Sequence, residues 1–438
     1  MNEITERGVT IIGAGFSGLA AGYELIRCGI PVTILEAEDQ IGGLAASFRV
    51  GDEDLDRFYH HWFTSDRDAI DLVEELGLGK LLQVNPTNTG VYYANSVFRL
   101  STPWDLLRFK PLRLLDRIRL GLLALRARRV RDWKTLEDKT AQEWLRKLGG
   151  ENVYRIVWRP LLEGKFGPYA NEVSAVWFWN KLKLRGGSRG KGGEERLAYL
   201  TGGFVALARA LEEEIRKGGG RIELKTPAQA ILPNGDGWQV MTRNGPIRSS
   251  QVLATTALPI VADLIRNWAS QSFVDRLERI RYIGNVCLIL ELDRPLSTCY
   301  WLNVNDPTFP FVGIIEHTNF ERAESYGGRH IVYLSKYLPH TDPLYSFERD
   351  EFLNFALPFI SRMFPAFERS WIKNYHLWRA RWSQPIVEKK YGELIPPHDG
   401  PQKGFHICSM AQIYPEDRGT NYAIREGRKI GRKIASVN

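Results

Sequence analysis

An α/β fold of more than one domain is what this sequence predicts, on three observations. An apolar run leads straight into a glycine-rich turn, a helical pattern follows that turn, and the chain is 438 residues long. That length exceeds what one compact core holds, so two domains are expected. Hydrophobic residues make up 44% and charged residues 25%, proportions that bury a large core without disulfides or structural metals. The four cysteines, Cys28, Cys287, Cys299 and Cys408, stand far apart with no CxxC or Cys/His ligand spacing. No metal site and no disulfide framework is expected. The N-terminus MNEITERGVTII lacks the layout of a signal peptide, and no run of about 18 apolar residues occurs. The expected location is cytoplasmic.

Val9-Thr10-Ile11-Ile12 reads as a buried strand, followed at once by Gly13-Ala14-Gly15-Phe16-Ser17-Gly18. LAAGYELIRCG then reads as a helix ending at Gly29, and Pro31-Val32-Thr33-Ile34-Leu35 as a second strand ending at Glu36-Ala37. In such a Rossmann-like βαβ unit, Gly13 makes the tight turn, Gly15 lets backbone approach a pyrophosphate, and Gly18 lets helix pack on strand. The helix N-terminus offers free N–H groups and a positive dipole end to phosphates. Glu36, 18 residues past Gly18, is placed to accept from ribose hydroxyls and to repel a 2′-phosphate, which disfavours NADP.

Past Glu36 the chain carries a second glycine pair, Gly42-Gly43. At this point it resembles the flavoprotein group of amine oxidases, protoporphyrinogen oxidases and phytoene desaturases. In that group the second pair lies under the diphosphate of FAD, so the resemblance implies FAD rather than NAD. Leu44 stands where the group usually has Arg, Lys or Asn.

The resemblance continues in pieces. Leu200-Thr201-Gly202-Gly203-Phe204 and the helix-like VALARALEEEIRKGGG resemble the group's return to the cofactor domain, with Arg221 to Leu224 and Val252 to Thr256 as further strands. Thr226-Pro227-Ala228 resembles the turn whose backbone meets adenine. GFHICSMAQIYPEDRGTNYAIREGRKIGRKIA resembles the last flavin-contacting strand, loop and helix, with Asp417, Arg418, Gly419, Thr420 and Asn421 near the ring. Ser409-Met410 replaces a common Gly-Asp. The implied architecture is a discontinuous FAD-binding domain over 1–100, 195–258 and 395–438. A mixed-sheet substrate domain with a helical cap would take 101–194 and 259–394. WRPLLEGKFGPYANEVSAVWFW resembles the cap, with Trp158, Trp177 and Trp179 as cavity walls or, alternatively, core aromatics.

His60 and His61, in DRFYHHWFT, are the candidate catalytic residues: an imidazole near the flavin moves protons at neutral pH. In an extended segment only one of two adjacent histidines faces the ring. A structural pair bonded to backbone is the alternative. The implied function is an FAD-dependent oxidoreductase taking a hydride from an organic small molecule. The same stretch resembles the HIFHT motif of UDP-galactopyranose mutase, giving a redox-neutral alternative, although Phe63 replaces its second histidine. Lys336 is a loose match to the lysine beside flavin N5 in amine oxidases, with an ordinary half-buried lysine as the other reading. GGSRGKGG fails the spacing of a P-loop; Arg185, Arg189 and Lys191 remain candidates to grip a substrate diphosphate.

Between Trp104 and Arg131 nine Lys/Arg face two Asp/Glu, interleaved with nine leucines. Pro111 divides the segment into two helical pieces. Leu115, Ile118, Leu122 and Leu125 form one stripe, either an interfacial face on anionic lipid, suiting a lipid-like substrate, or a cap helix with its stripe in the core. Nucleic acid is not an expected partner, since no binding module accompanies the basic run.

Overall fold

The computed structural model describes residues 8–100, 102–187 and 195–437. Strand β1 (Val9–Ile12) leads through the glycine turn into helix α1 (Phe16–Arg27) and strand β2 (Val32–Leu35). Both strands are buried at every residue, as expected where helices or loops cover both faces of a parallel sheet. Three distant stretches complete the sheet: β3 (Arg221–Glu223), β4 (Gln251–Ala254) and β5 (Phe405–Ile407). The order is β3-β2-β1-β4-β5, and all pairs are parallel. This sheet presents the C-terminal ends of β1 and β2 to one crevice, where α/β sheets bind ligands.

A seven-stranded mixed sheet stands beyond it, in the order 372–385, 282–292, 330–338, 313–316, 301–304, 89–93 and 96–99. Its strand Tyr282–Leu292 is buried throughout. The hairpin 89–99, read from sequence as part of the first domain, pairs with this second sheet through Thr89–Tyr92 against Trp301–Val304. Ala94 and Asn95, both at positive φ, close the two-residue turn, and Val91 and Tyr92 are buried.

The cap is helical. A short helix, Pro103–Arg108, is capped by Thr102 and Asp105, and after the Pro111 interruption α2 (Leu114–Arg129) follows. Helices α3 (Arg159–Phe166) and α4 (Ala175–Gly187) complete the part that matters here. Helix α2 buries Leu120, Leu123 and Ala127, and Trp179 donates its Nε1–H to the Ala127 carbonyl at 2.9 Å. The reading that places the Leu115 stripe in the core is therefore corrected: Leu115, Ile118, Leu122 and Leu125 are all exposed. The arginine-free line of Leu120, Leu123 and Ala127 packs instead.

The last helix, α5 (Thr420–Ala435), lies along α1. Gly427 and Gly431 make the approach close: a Cβ at Gly427 would sit 2.3 Å from the Ser17 carbonyl oxygen, and one at Gly431 2.7 Å from that of Ala21. Since 427 meets 17 and 431 meets 21, the two helices run in the same direction. Arg428 and Arg432 pair with the buried Glu24. Burial works to raise the Glu24 carboxyl, but Arg432 and Arg428 outweigh it and hold it below its ordinary range.

Candidate functional site

Two glycine turns face each other at the head of α1. Gly13, at φ +102°, donates its N–H to Leu35 O at 2.8 Å, and Gly15 bridges to Gly42. A Cβ on Gly18 would lie 2.0 Å from the Gly13 oxygen, and one on Gly43 3.2 Å from Gly15 Cα. Around Gly15 itself nothing but Gly43 Cα comes within 4.0 Å of where a Cβ would stand. No side chain caps α1, so the N–H groups behind Gly15, from Phe16 to Gly18, begin a helix without a built-in acceptor. Phe16 itself is buried, and Ser17 is partly exposed.

Glu36 makes contacts that the spacing alone did not reveal. Its carboxylate accepts from the Ala14 N–H at 2.8 Å and the Glu38 N–H at 3.0 Å, tying the first turn to the end of β2. A carboxylate has about four acceptor positions, so two such bonds leave room for ribose hydroxyls. Ala37 is exposed just beyond, and the Thr226-Pro227-Ala228 turn sits alongside, with Thr226 N–H donating to Glu36 O at 2.8 Å.

From Leu44 a cavity of about 310 Å³ opens between the seven-stranded sheet, the cap and the start of α5. Tyr59, His60, His61, Trp62, Trp158, Trp177 and the run Asp417 to Tyr422 all line it. Both histidines line this cavity. Residues 59–61 lie outside any strand, so two-residue alternation does not apply to them. His61 Nδ1 is 3.0 Å from the Tyr300 hydroxyl. His60 packs on Phe204, and burial, aided by Arg418, pushes it down to about 3, so it is neutral at pH 7.

Helix α5 opens onto the same cavity. Gly419 precedes Thr420 in extended conformation and no side chain caps the helix. Thr420 accepts from Trp62 Nε1–H at 2.7 Å, while the Asn421 side chain accepts from Ala69 N–H and anchors the helix Arg67–Glu75. Met410 sits in the turn Met410–Gln412 and is not among the lining residues. Trp179 is core rather than cavity wall. Lys336 donates to Pro310 O at 3.3 Å and does not line the cavity. Arg185, as a side chain, and Arg189 and Lys191 lie outside the described residues.

The charged groups that sequence reasoning missed are Lys165 and Lys181, on α3 and α4. Lys181 Nζ stands 2.6 Å and Lys165 Nζ 3.8 Å from Asp417 Oδ2. Gln384 donates to Asp417 Oδ1 at 3.1 Å, and Arg418 donates to Gln384 and to the Tyr337 hydroxyl. Burial raises Asp417, but Lys181 and Lys165 win and hold it far below the carboxylate range. Burial also brings Lys165 down to about 8 against the pull of Asp417. Among the described residues no His, Cys, Asp or Glu group is arranged to hold a metal.

The sequence pattern of flavin-containing amine oxidoreductases matches residues 16–430. The chain belongs to that family. Rat (Rattus norvegicus) flavin-containing amine oxidase B is 25% identical over 287 residues, covering 58% of this chain and 50% of the relative. Coproporphyrinogen III oxidase of Bacillus subtilis (strain 168) is 26% identical over 240 residues, covering 48% and 51%. The chain thus spans about half the length of the curated relatives it matches. A solved structure assigned as a protoporphyrinogen oxidase, from Exiguobacterium sp. 255-15, superposes with a TM-score of 0.80 at 18% identity, covering 99% of this chain and 100% of the other. Cyclohexylamine oxidase from Brevibacterium oxydans IH-35A gives 0.68 at 17%, covering 99% of each. These two likenesses establish the fold.

As a member of the flavin-containing amine oxidoreductase family, the chain has FAD as its expected cofactor, and its residues fit the group. The open space at Gly15, the apposed Gly42-Gly43 turn and Glu36 suit the adenosine diphosphate half. The uncapped start of α5, beside Leu44 and His60, suits the ring.

Proposed function

We propose that this protein is an FAD-dependent oxidoreductase that removes a hydride from an organic small molecule held in the aromatic cavity. Bound FAD supplies the two-electron acceptor for a substrate C–H or N–H. The observation that carries the reading is the uncapped N-terminus of α5 opening onto the cavity that His60, His61 and the cap helices line. Partial positive charge at that helix end favours the extra negative charge that accompanies reduction. His60, neutral through burial, takes no part as a cation. His61, held by Tyr300, is the imidazole placed to accept or return a proton. Trp158 and Trp177 wall the cavity and give it apolar faces. The redox-neutral mutase alternative gains nothing from these relatives, and Phe63 fills the position of its second histidine. Purified protein is expected to show flavin absorbance that bleaches stoichiometrically with substrate under anaerobic conditions. A colourless protein that FAD does not reconstitute would sink the proposal, and turnover without any acceptor would favour the mutase.

The second part of the proposal concerns a partner: the Pro103–Arg108 and α2 helices rest on an anionic lipid surface. No described helix is long and apolar enough to cross a membrane. Yet Trp104 is 71%, Leu115 70% and Leu114 61% exposed, and Arg108, Lys110, Arg113, Arg119, Arg126, Arg128, Arg129 and Arg131 are exposed among them. Apolar side chains at the surface with cations around them match the interface of a negatively charged bilayer. Co-sedimentation with phosphatidylserine-containing vesicles at low salt, lost on charge reversal at Arg126, Arg128 and Arg129, is the expected result. Equal recovery with purely zwitterionic vesicles, or a dimer buried on this face, would contradict it.

A further inference from the structure

The cap brings Lys165 and Lys181 to the cavity from α3 and α4, and Arg418 arrives from the segment before α5. Facing them, the lining carboxylates are Asp417 and Asp66. Asp417 is occupied by Lys181 and Gln384. Asp66 accepts from Phe63 N–H at 2.9 Å at the head of the helix Arg67–Glu75, and burial lifts it to about 6. His60 adds no charge. Even with both carboxylates ionised, the three cations leave this end of the cavity net positive.

Lys165 is the decisive group. Its side chain is only 20% exposed, and its ammonium lies 5.3 Å from the centre of the Trp177 ring and 5.2 Å from that of Tyr337. Among the described residues no acceptor lies within hydrogen-bond reach of it, Asp417 Oδ2 standing at 3.8 Å. Aromatic faces steady such a cation but accept none of its three N–H donors in line. A buried ammonium that shares its one nearby carboxylate with Lys181 is unfavourable unless a further partner of opposite sign completes it.

We propose that Lys165, Lys181 and Arg418 form an oxyanion-binding end of the cavity, so that the substrate carries a carboxylate or phosphate rather than a free ammonium. This inference rests on the oxidoreductase reading above and names its substrate class. An alkylammonium ion entering the same space meets like charge, whereas an oxyanion gives Lys165 its missing acceptor and offsets the excess. The two aromatic walls take the apolar remainder of the molecule. With burial and Arg418 opposing the charge on Lys165 and Asp417 supporting it, binding weakens as pH rises through about 8, where Lys165 gives up its proton.

The test is calorimetric titration of the flavin-loaded protein at pH 7 with phenyl phosphate, benzoate, benzylamine and benzyl alcohol. At least one of the two oxyanions is expected to bind at least about ten-fold tighter than benzylamine, the stronger of the pair identifying the group preferred. Lys165→Met is expected to weaken that oxyanion by about ten-fold or more, the loss of one charge-assisted hydrogen bond, and to leave benzyl alcohol unchanged. Lys165→Arg should restore binding to within about three-fold. Oxyanion affinity equal in the wild type and Lys165→Met, or benzylamine binding tighter than both oxyanions, overturns the proposal. Visible absorbance is read on the same samples. A wild type without flavin overturns the oxidoreductase reading, whereas flavin-loaded protein indifferent to both oxyanions overturns the anion site alone.

Discussion

Asp417 sits between two lysines with 3% of its side chain exposed, and its charge is what lets those lysines remain protonated in an enclosed space. Replacing it by Asn leaves Lys165 and Lys181 facing each other without a counter-charge. Losing one partner of a buried pair costs about 3–5 kcal/mol; Lys181 keeps a third of its side-chain surface, so about 2–3 kcal/mol is expected in urea denaturation at pH 7. The sign with pH follows from the lowered carboxyl of Asp417. Its stabilisation is present above the ordinary carboxylate range, near 4, and fades as pH falls below it, so wild type and Asp417→Asn should converge in acid. A gap that stays unchanged from pH 7 down to about pH 2 would show that the pair is not what Asp417 contributes. No sequence signal led to this cluster. Residues 165, 181 and 417 lie on separate stretches, and each lysine sits in an aromatic run that reads as packing.

At the scale of elements, local chemistry was legible where one segment carries the whole argument. The turn Gly13 to Gly18 works through strand, glycines and helix that are consecutive, so its reading needed no tertiary knowledge. The basic helix was not decidable, because α2 carries apolar residues on more than one line and only the neighbours choose which is buried. Likewise Trp177 and Trp179, two residues apart, part company: one meets the cavity while the other donates to Ala127. The 427 and 431 glycines were printed in the sequence at helical spacing, but their meaning needed the partner helix. Gly427→Val should push α5 away from the Ser17 carbonyl. We expect a loss of about 1–3 kcal/mol together with weaker retention of flavin. Gly419→Ala, whose Cβ would meet nothing nearer than 3.8 Å in an extended backbone, should keep full thermal stability. Equal melting temperatures for all three proteins would refute the close-contact account.

At the scale of the molecule, the sheet β3-β2-β1-β4-β5 draws strands from three regions, and the second sheet and cap line one cavity with the segment 417–422. The strands Val9–Ile12, Val32–Leu35, Arg221–Glu223 and Gln251–Ala254 lie where local pattern reads strands, whereas the pairing of hairpin 89–99 with the other sheet depends on a long-range contact that no local pattern encodes. The parallel alignment of α1 and α5 then has a metric consequence. With Gly427 level with Ser17, Thr420 lies seven residues upstream of the contact and Phe16 only one. At 1.5 Å per residue the start of α5 overshoots that of α1 by roughly 9 Å. The pair works as a gauge with two electropositive stops, one at each helix start, set apart by a rigid length of peptide. A ligand with its negative groups bunched at one end reaches a single stop; an elongated one engages both. Riboflavin, which carries the ring but no phosphate, should therefore fail to reconstitute the protein at concentrations where FAD saturates it, and equal uptake of the two would mean the gauge is not read.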